Sequence, residues 1–403
     1  MANQRVIIAG AGPVGAICAL ALARHGIPVL LLEADDGPTV DQRAASIHPP
    51  SLEMLEELDV PEVFSEGLKT TSVSYWDRVT GALVAEFDNA VLRHDTRHPF
   101  VIQFEHYKIV HTVMRHLARR AEVEIRMSTR LVDLAEGDDH VDAIVEGPQG
   151  PERLRGTYLI GADGGRSVVR KAIGLEFDGF TFPERFIKVI TAYDFTSRRP
   201  EFNIRNFFSH PDDYCALFKT PGERPPGLWR IVFSSRPNET DEEALAIDNV
   251  RARLARFFPD DGPIEIEVLK LYAVHQRVAR QFRSGRVLLA GDAAHVVNPH
   301  GGMGMNGGIH DAINLADKLA RIWCGAADDR LLDLYDRQRR YAASEFVQAQ
   351  SIRNKQLLDE SDPEVRQRNL DELRRTAADP ALAHQFLLKT SMIESVRRAA
   401  AVG

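Results

Sequence analysis

The 403-residue chain has 44% hydrophobic and 27% charged residues, the balance of a soluble globular protein long enough for two or three interleaved modules. Its formal net charge of -8 excludes nucleic acid as the main partner, because counterion release needs clustered Lys and Arg, and the local run Arg337-Gln338-Arg339-Arg340 reads as a solvated helix face. Cys18, Cys215 and Cys324 lack metal-ligand spacing and point to a reducing cytoplasm without a bound metal, and no apolar run is long enough for membrane insertion.

Residues 5–9 (Arg-Val-Ile-Ile-Ala) predict a short strand buried on both faces. Gly10-Ala11-Gly12-Pro13-Val14-Gly15 follows, then an Ala- and Leu-rich helix to about His25, ended by Gly26. Residues 28–33 predict a second buried strand that finishes on Glu33 and completes a βαβ unit. Helices are predicted over 45–60 and 105–121, the second with Ile109, Val113 and Leu117 on one face. Residues 122–148 alternate as strands do, 157–162 predict a buried strand, and 166–173 a short helix. From 176 to 280 aromatic and β-branched residues dominate, with Pro-rich breaks at 221–226, which predicts an antiparallel sheet in a separate module. Residues 286–291 predict a return to buried strand, 304–324 a long helix, and the stretch from 328 onward a charged, amphipathic helical cap or oligomer surface.

The first chemistry-bearing motif lies between the two early strands. Gly10, Gly12 and Gly15 have G-x-G-x-x-G spacing: one glycine for the tight turn, one for backbone approach to a pyrophosphate, one for close helix–strand packing. Glu33 follows 18 residues after Gly15, where a carboxylate can accept from ribose hydroxyls. The motif specifies a dinucleotide and leaves NAD and FAD both open.

Two further segments point to FAD. Tyr158-Leu159-Ile160-Gly161-Ala162-Asp163-Gly164-Gly165-Arg166-Ser167-Val168-Val169-Arg170 resembles the Asp-Gly fingerprint of aromatic-hydroxylase flavoproteins. Gly285-Arg286-Val287-Leu288-Leu289-Ala290-Gly291-Asp292-Ala293-Ala294-His295 is similar to their Gly-Asp fingerprint and runs on into Pro299-His300-Gly301-Gly302-Met303-Gly304-Met305-Asn306-Gly307-Gly308. Over 1–345 the chain resembles the para-hydroxybenzoate hydroxylase-like group of class A flavin monooxygenases.

The resemblance implies an α/β fold: a Rossmann-like FAD-binding domain with a parallel sheet (1–70, 101–175 and 281–330), interleaved with an antiparallel-sheet substrate domain (71–100 and 176–280), and a C-terminal helical region (331–403). It implies tight, non-covalent FAD, transient NADH or NADPH, O2 and a flavin C4a-hydroperoxide that hydroxylates a small phenolic or hydroxylated N-heteroaromatic ring, in a cytoplasmic monomer or homodimer. The implied FAD contacts are Gly10, Gly12, Pro13, Val14, Gly15, Glu33 and Ala34 at the adenosine and pyrophosphate end. Asp292 and Gln103 would meet the ribityl chain, and Arg43 the pyrophosphate and ribityl region. Leu131 and Val132 would brush the adenine through backbone. Gly302, Gly304, Met305 and the backbone of Asn306 would meet the pyrimidine edge, where the long helix favours the negative charge of reduced flavin. Asp163 and Arg166 would serve flavin and nicotinamide, or brace the fold, with Arg170 as an ion-pair partner.

Pro299 is the candidate that shapes the oxygen-activating pocket, since an X-Pro turn fixes neighbouring carbonyls. Activating a phenol needs a group that weakens its proton. His48, Tyr214 and His210, with Tyr193, Tyr272 and His275, are the candidates, and Arg230 can either meet a carboxylate or face outward from its strand. The isolated Trp76, Trp229 and Trp323 exclude the tryptophan segment of flavin halogenases. A ubiquinone-pathway prenylphenol hydroxylase and a non-catalytic FAD- or aromatic-binding protein are the alternative readings.

Overall fold

In the computed structural model, which describes residues 4–403 apart from 211, 212, 237, 260 and 359, the glycine-flanked apolar runs form the centre of a six-stranded sheet. Val6–Ala9 pairs in parallel with Val29–Leu32 on one side and with Tyr158–Gly161 on the other. Val123–Arg126 and Val287–Leu289 extend it in parallel, and Arg283–Ser284 closes one edge as an antiparallel hairpin. Every residue of the three central strands is buried. Each Ile or Leu placed there contributes roughly 1.5–3 kcal/mol of burial, which explains why these strands read as unbroken apolar runs. The helix Pro13–Arg24 lies on this sheet and buries Gly15 through Ala23, a face that Ala and Leu can pack without polar atoms. The long helix Met303–Trp323 packs in the same core through Ile309, Ala312, Leu315 and Leu319.

A second sheet of eight strands is built mostly from Phe177–Thr191, Arg205–His210, Asp213–Thr220, Leu228–Ser234 and Val268–Ala279, joined by Ser72–Asp77 and Ala82–Asp88 from early in the chain. Side-chain alternation gives it two apolar faces. Phe186, Phe207, Tyr214 and Val232 face the C-terminal helices and meet Leu358, Leu370 and Leu387. Ile187, Phe208, Cys215 and Phe233 face the other way and pack on the helix Ile247–Phe257.

Several local expectations change. The predicted helix over 45–60 begins only at Pro49. Ser46–Ile47 is a strand paired with Val101–Gln103, and Pro49 and Pro50 suit the first helical turn, where no N–H partner is needed. Within 176–280 the strands pair antiparallel with one another as expected; Arg205–His210 also runs parallel to Ser72–Asp77 from earlier in the chain, and helices lie at Asp241–Leu245 and Ile247–Phe257. Arg339 and Gln338, read as part of a solvated basic face, are both buried. Among the described residues no helix is long and apolar enough to cross a membrane.

Candidate active site

The glycine motif forms a cradle by close backbone packing. Gly10 takes φ +98°, and a Cβ there would lie 2.6 Å from Ala162 O; at Gly15 it would lie 1.9 Å from Gly10 O. No side chain larger than hydrogen fits either place. Gly12 differs: a Cβ there would meet nothing within 4 Å, so open space lies beyond it, at the N-cap of the helix that Pro13 opens. The Val14 side chain fills the gap to the third fingerprint, where a Cβ on Gly291 would come within 2.7 Å of it and one on Gly308 within 2.5 Å. Residues 10–15, 162, 291 and 308 therefore meet at one point. At the end of the second strand Glu33 Oε2 accepts from Ala11 N–H at 2.8 Å and Oε1 from Asp35 N–H at 3.1 Å, beside a half-buried Ala34. That fixes the carboxylate and leaves lone pairs for a ribose.

The second fingerprint braces the first and third. Asp163 Oδ2 accepts from Val168 N–H at 2.7 Å and Val169 N–H at 3.1 Å, at the start of a short helix, while Oδ1 is buried without a protein partner. The expected ion pairing of Arg170 takes another form. Its Nη1 donates to Ala293 O at 2.7 Å, its Nη2 to Gly165 O at 2.9 Å, and its guanidinium stacks 3.8 Å from the Phe177 ring. Carbonyls and a ring thus replace the carboxylate, and the arginine links segment 162–170 to segment 291–295. Arg166 is exposed.

Asp292 is exposed at the third fingerprint, yet crowded enough by protein that desolvation raises its carboxyl, with His295 and Arg43 opposing. Behind it lies a group that the sequence reading missed. Asp311, fully buried, accepts from Gly291 N–H at 2.9 Å, from His295 Nε2 at 2.7 Å and from Arg339 Nε at 2.6 Å. Burial alone would raise this carboxyl; His295 and Arg339 outweigh it and hold it at about 2. Arg339 also donates to Gly307 O at 3.3 Å, so the triad ties both ends of the 291–307 loop to the helix Leu331–Tyr341. The helical spacing of Arg339 against its neighbours was the available signal, masked by the charged run around it.

Asn306 works through its side chain: Nδ2 donates to Ser46 O at 2.9 Å and Gly302 O at 2.7 Å, and Oδ1 accepts from His48 N–H at 2.9 Å. Its backbone, with Gly302 (φ +68°), Gly304 and Met305, opens the helix Met303–Trp323. Gln103 is buried and donates to Ser46 Oγ at 2.8 Å. Arg43 is exposed and pairs with Asp41 at 2.8 Å, while its backbone N–H donates to His106 Nδ1 at 3.1 Å. Leu131 is buried and Val132 exposed. Side chains excluded from the cradle, open space over Gly12 and carboxylates of Glu33 and Asp292 with spare acceptor capacity fit an adenine dinucleotide with a polyol chain. No cluster of metal-ligating side chains occurs among the described residues.

The candidate bases separate by sheet face. His48 is buried, and its Nε2 donates to Gly301 O at 2.8 Å, because a carbonyl only accepts. Nδ1 then carries a lone pair with no protein partner, and burial holds the ring neutral, with its pKa lowered to about 3. Tyr214 lies on the same side, its ring 4.3 Å from that of His300. His300, not singled out from sequence, is buried with Nε2 unpartnered and follows Pro299, whose carbonyl accepts from Gly302 N–H at 3.1 Å. His210 falls on the opposite face, next to Phe257, because it is an odd number of residues from Phe207 along its strand. Tyr193 is engaged by Asp261, and His275 by Thr181 at an exposed position. Tyr272 stacks on Phe186, and its buried hydroxyl neighbours Arg230. The structure thus brings His48 and Tyr214 to the Gly301 loop and leaves His210, Tyr193 and His275 away from it.

Comparison with known proteins agrees with this geometry. A family model described as an FAD binding domain matches residues 3–350. The chain is 33% identical to the para-nitrophenol 4-monooxygenase of Pseudomonas sp. (strain WBC-3), over 97% of this chain and 96% of that protein. It is 32% identical to the 6-hydroxy-3-succinoylpyridine 3-monooxygenase of Pseudomonas putida (strain DSM 28022 / S16), over 87% and 88%. The crystal structure of the p-nitrophenol 4-monooxygenase from Pseudomonas putida DLL-E4 superposes with a TM-score of 0.91 at 31% identity, covering 98% of each chain. The chain belongs to the FAD-binding family of aromatic-hydroxylase flavoproteins and is an FAD-dependent aromatic monooxygenase.

Proposed function

We propose that the enzyme hydroxylates a small phenolic or hydroxylated N-heteroaromatic ring, with NADH or NADPH as transient reductant and O2 as the source of the new oxygen. The observation that carries this reading is the meeting of three distant segments at Val14, with a donor- and acceptor-lined cavity beside the Gly301 loop. Relatives named for a nitrophenol and for a hydroxypyridine support both ring types. FAD, when bound, would supply the redox chemistry between the nicotinamide and oxygen.

The chain's own residues supply position and environment. The amide end of the helix Pro13–Arg24 would hold the pyrophosphate, Glu33 a ribose and Asp292 the ribityl hydroxyls, and the amides of 302–306 would serve the pyrimidine edge. Arg43, exposed and paired with Asp41, would be the side-chain cation nearest to hand for a phosphate. His48, neutral and with a free Nδ1 lone pair, accepts from a donor group of the substrate or from a water beside it. Leu358 and Leu387 roof the cavity and exclude water from the reacting ring.

Purified protein should carry flavin absorbance and oxidise NADH or NADPH faster when hydroxylated aromatics are added. Under labelled O2 one heavy oxygen atom should appear in the product. Colourless protein that ignores added FAD, or a reductant oxidation rate indifferent to every phenol and hydroxypyridine tried, would overturn the reading.

A further inference from the structure

The cavity beside the Gly301 loop contains a charge that the fold does not use. Arg205 starts the strand Arg205–His210 and points to the same face as Phe207, toward the C-terminal helices. It is buried at 6% exposure. Among the described residues its guanidinium has no carboxylate within ion-pair distance and no hydrogen-bond acceptor, and its Nε is an unpartnered buried atom. Other buried arginines here are all engaged: Arg170 by two carbonyls, Arg253 by Glu239, Arg339 by Asp311, Arg366 by Asp77. A buried guanidinium left without a counter-charge is costly, and folds rarely keep one without a use.

What lines the cavity says what completes it. Among the described residues no acidic one contributes to its wall. Asn89 Nδ2, a second donor, is buried without a partner in the same wall, and His48 Nδ1 is the unpartnered acceptor. Its titratable groups are Arg205, His48 and Tyr75, and the polar side chains contributed by the C-terminal helices, Asn354, Thr390 and Ser391, are uncharged. A planar ring bearing one negatively charged oxygen satisfies the two donors: the oxygen receives Arg205 and Asn89, the ring lies among Val73, Phe207 and Leu387, and His48 Nδ1 is left to accept from a donor elsewhere on the substrate or from water.

Building on the functional reading above, we propose that Arg205 binds the substrate as its phenolate, the phenol proton being released to bulk water on binding. The ring then enters the oxygen-transfer step in its electron-rich form, so substrates are phenols or hydroxypyridines that ionise readily. Arg205 acts here as a substrate-contacting, specificity-determining residue, and no side-chain base has to take the proton in a closed site.

The test is an anaerobic titration of the FAD-loaded enzyme, without reduced nicotinamide, using 4-nitrophenol, whose colour reports its own ionisation. Across the pH range spanning that ionisation, the bound pKa should fall by at least about one unit relative to free 4-nitrophenol, the shift that one added charge partner produces. Arg205→Met should abolish the shift and weaken binding roughly tenfold to hundredfold, the range for a lost hydrogen bond to a charged group. Arg205→Lys should keep part of the shift, and the thermal midpoint of Arg205→Met should not fall below wild type. Wild-type enzyme that fails to bind 4-nitrophenol, or holds it neutral, overturns the proposal. So does Arg205→Met with unchanged binding and colour, or with a clear loss of stability. If aromatics still stimulate NADH or NADPH oxidation in those cases, only the role of Arg205 falls; if wild type neither holds FAD nor responds to any aromatic, the functional reading falls first.

Discussion

Two glycines three residues apart do different work, and substitution separates them. A Cβ at Gly15 would overlap Gly10 O, so Gly15→Ala must move backbone in the core; a loss of roughly 1–3 kcal/mol and of bound flavin is expected. Gly12 has φ -66° and open space around it, so Gly12→Ala should leave the flavin-free protein within about 0.5 kcal/mol of wild type and still weaken FAD binding. Urea unfolding and flavin titration of both variants check this; equal losses of stability would refute the contrast. At Asp311, replacement by Ala strands both His295 and Arg339 and should cost about 3–5 kcal/mol, while Glu33→Ala, which loses two backbone N–H bonds and strands no charge, should cost about 1–2 kcal/mol of stability and mainly FAD affinity. The glycine signature was legible because spacing alone carries its geometry. Asp311, Arg339 and Arg205 were not: an acid inside a helix, an arginine in a charged run and an arginine opening an aromatic strand look like surface residues until the chain is folded back on itself.

At the scale of elements, the C-terminal helices act as the roof of the large sheet. Leu370 is buried against that sheet without lining the cavity. Leu370→Ala is expected to cost about 2–4 kcal/mol in chemical denaturation while flavin content per folded molecule stays that of wild type. Loss of flavin in proportion to the loss of stability would mean that roof and dinucleotide site do not unfold separately. Periodicity identified these helices and the parallel core strands, since both bury a regular face. It failed at 45–60, where two prolines and a two-residue strand decide the path, and at 241–257, where polar helical segments interrupt a β-rich composition.

For the molecule as a whole, buried neutral histidines set the acid limit. His48, His300 and His310 each have a pKa lowered to about 3, and His106 one lowered to about 4, mainly by burial. The unfolded chain protonates them below about pH 6.5. Between those values unfolding takes up as many as four extra protons, so stability falls with falling pH by up to about 5 kcal/mol per pH unit. Asp311 adds to the loss only lower, as pH falls from about 4 toward its folded value. Urea midpoints should be flat above about pH 7 and drop steeply toward pH 5; a flat profile throughout would show that these rings are already charged in the fold.

The seam at Val14 also has a bearing on how the enzyme is made. Val14 is synthesised almost three hundred residues before Gly308, yet the two pack against each other. A ribosome-bound chain therefore offers the nucleotide only an opening βαβ unit, and the remaining wall of the pocket arrives with the last quarter of translation. Flavin capture is in this sense a check on completeness, since a chain that stops short of the long helix has nothing with which to close over its cofactor.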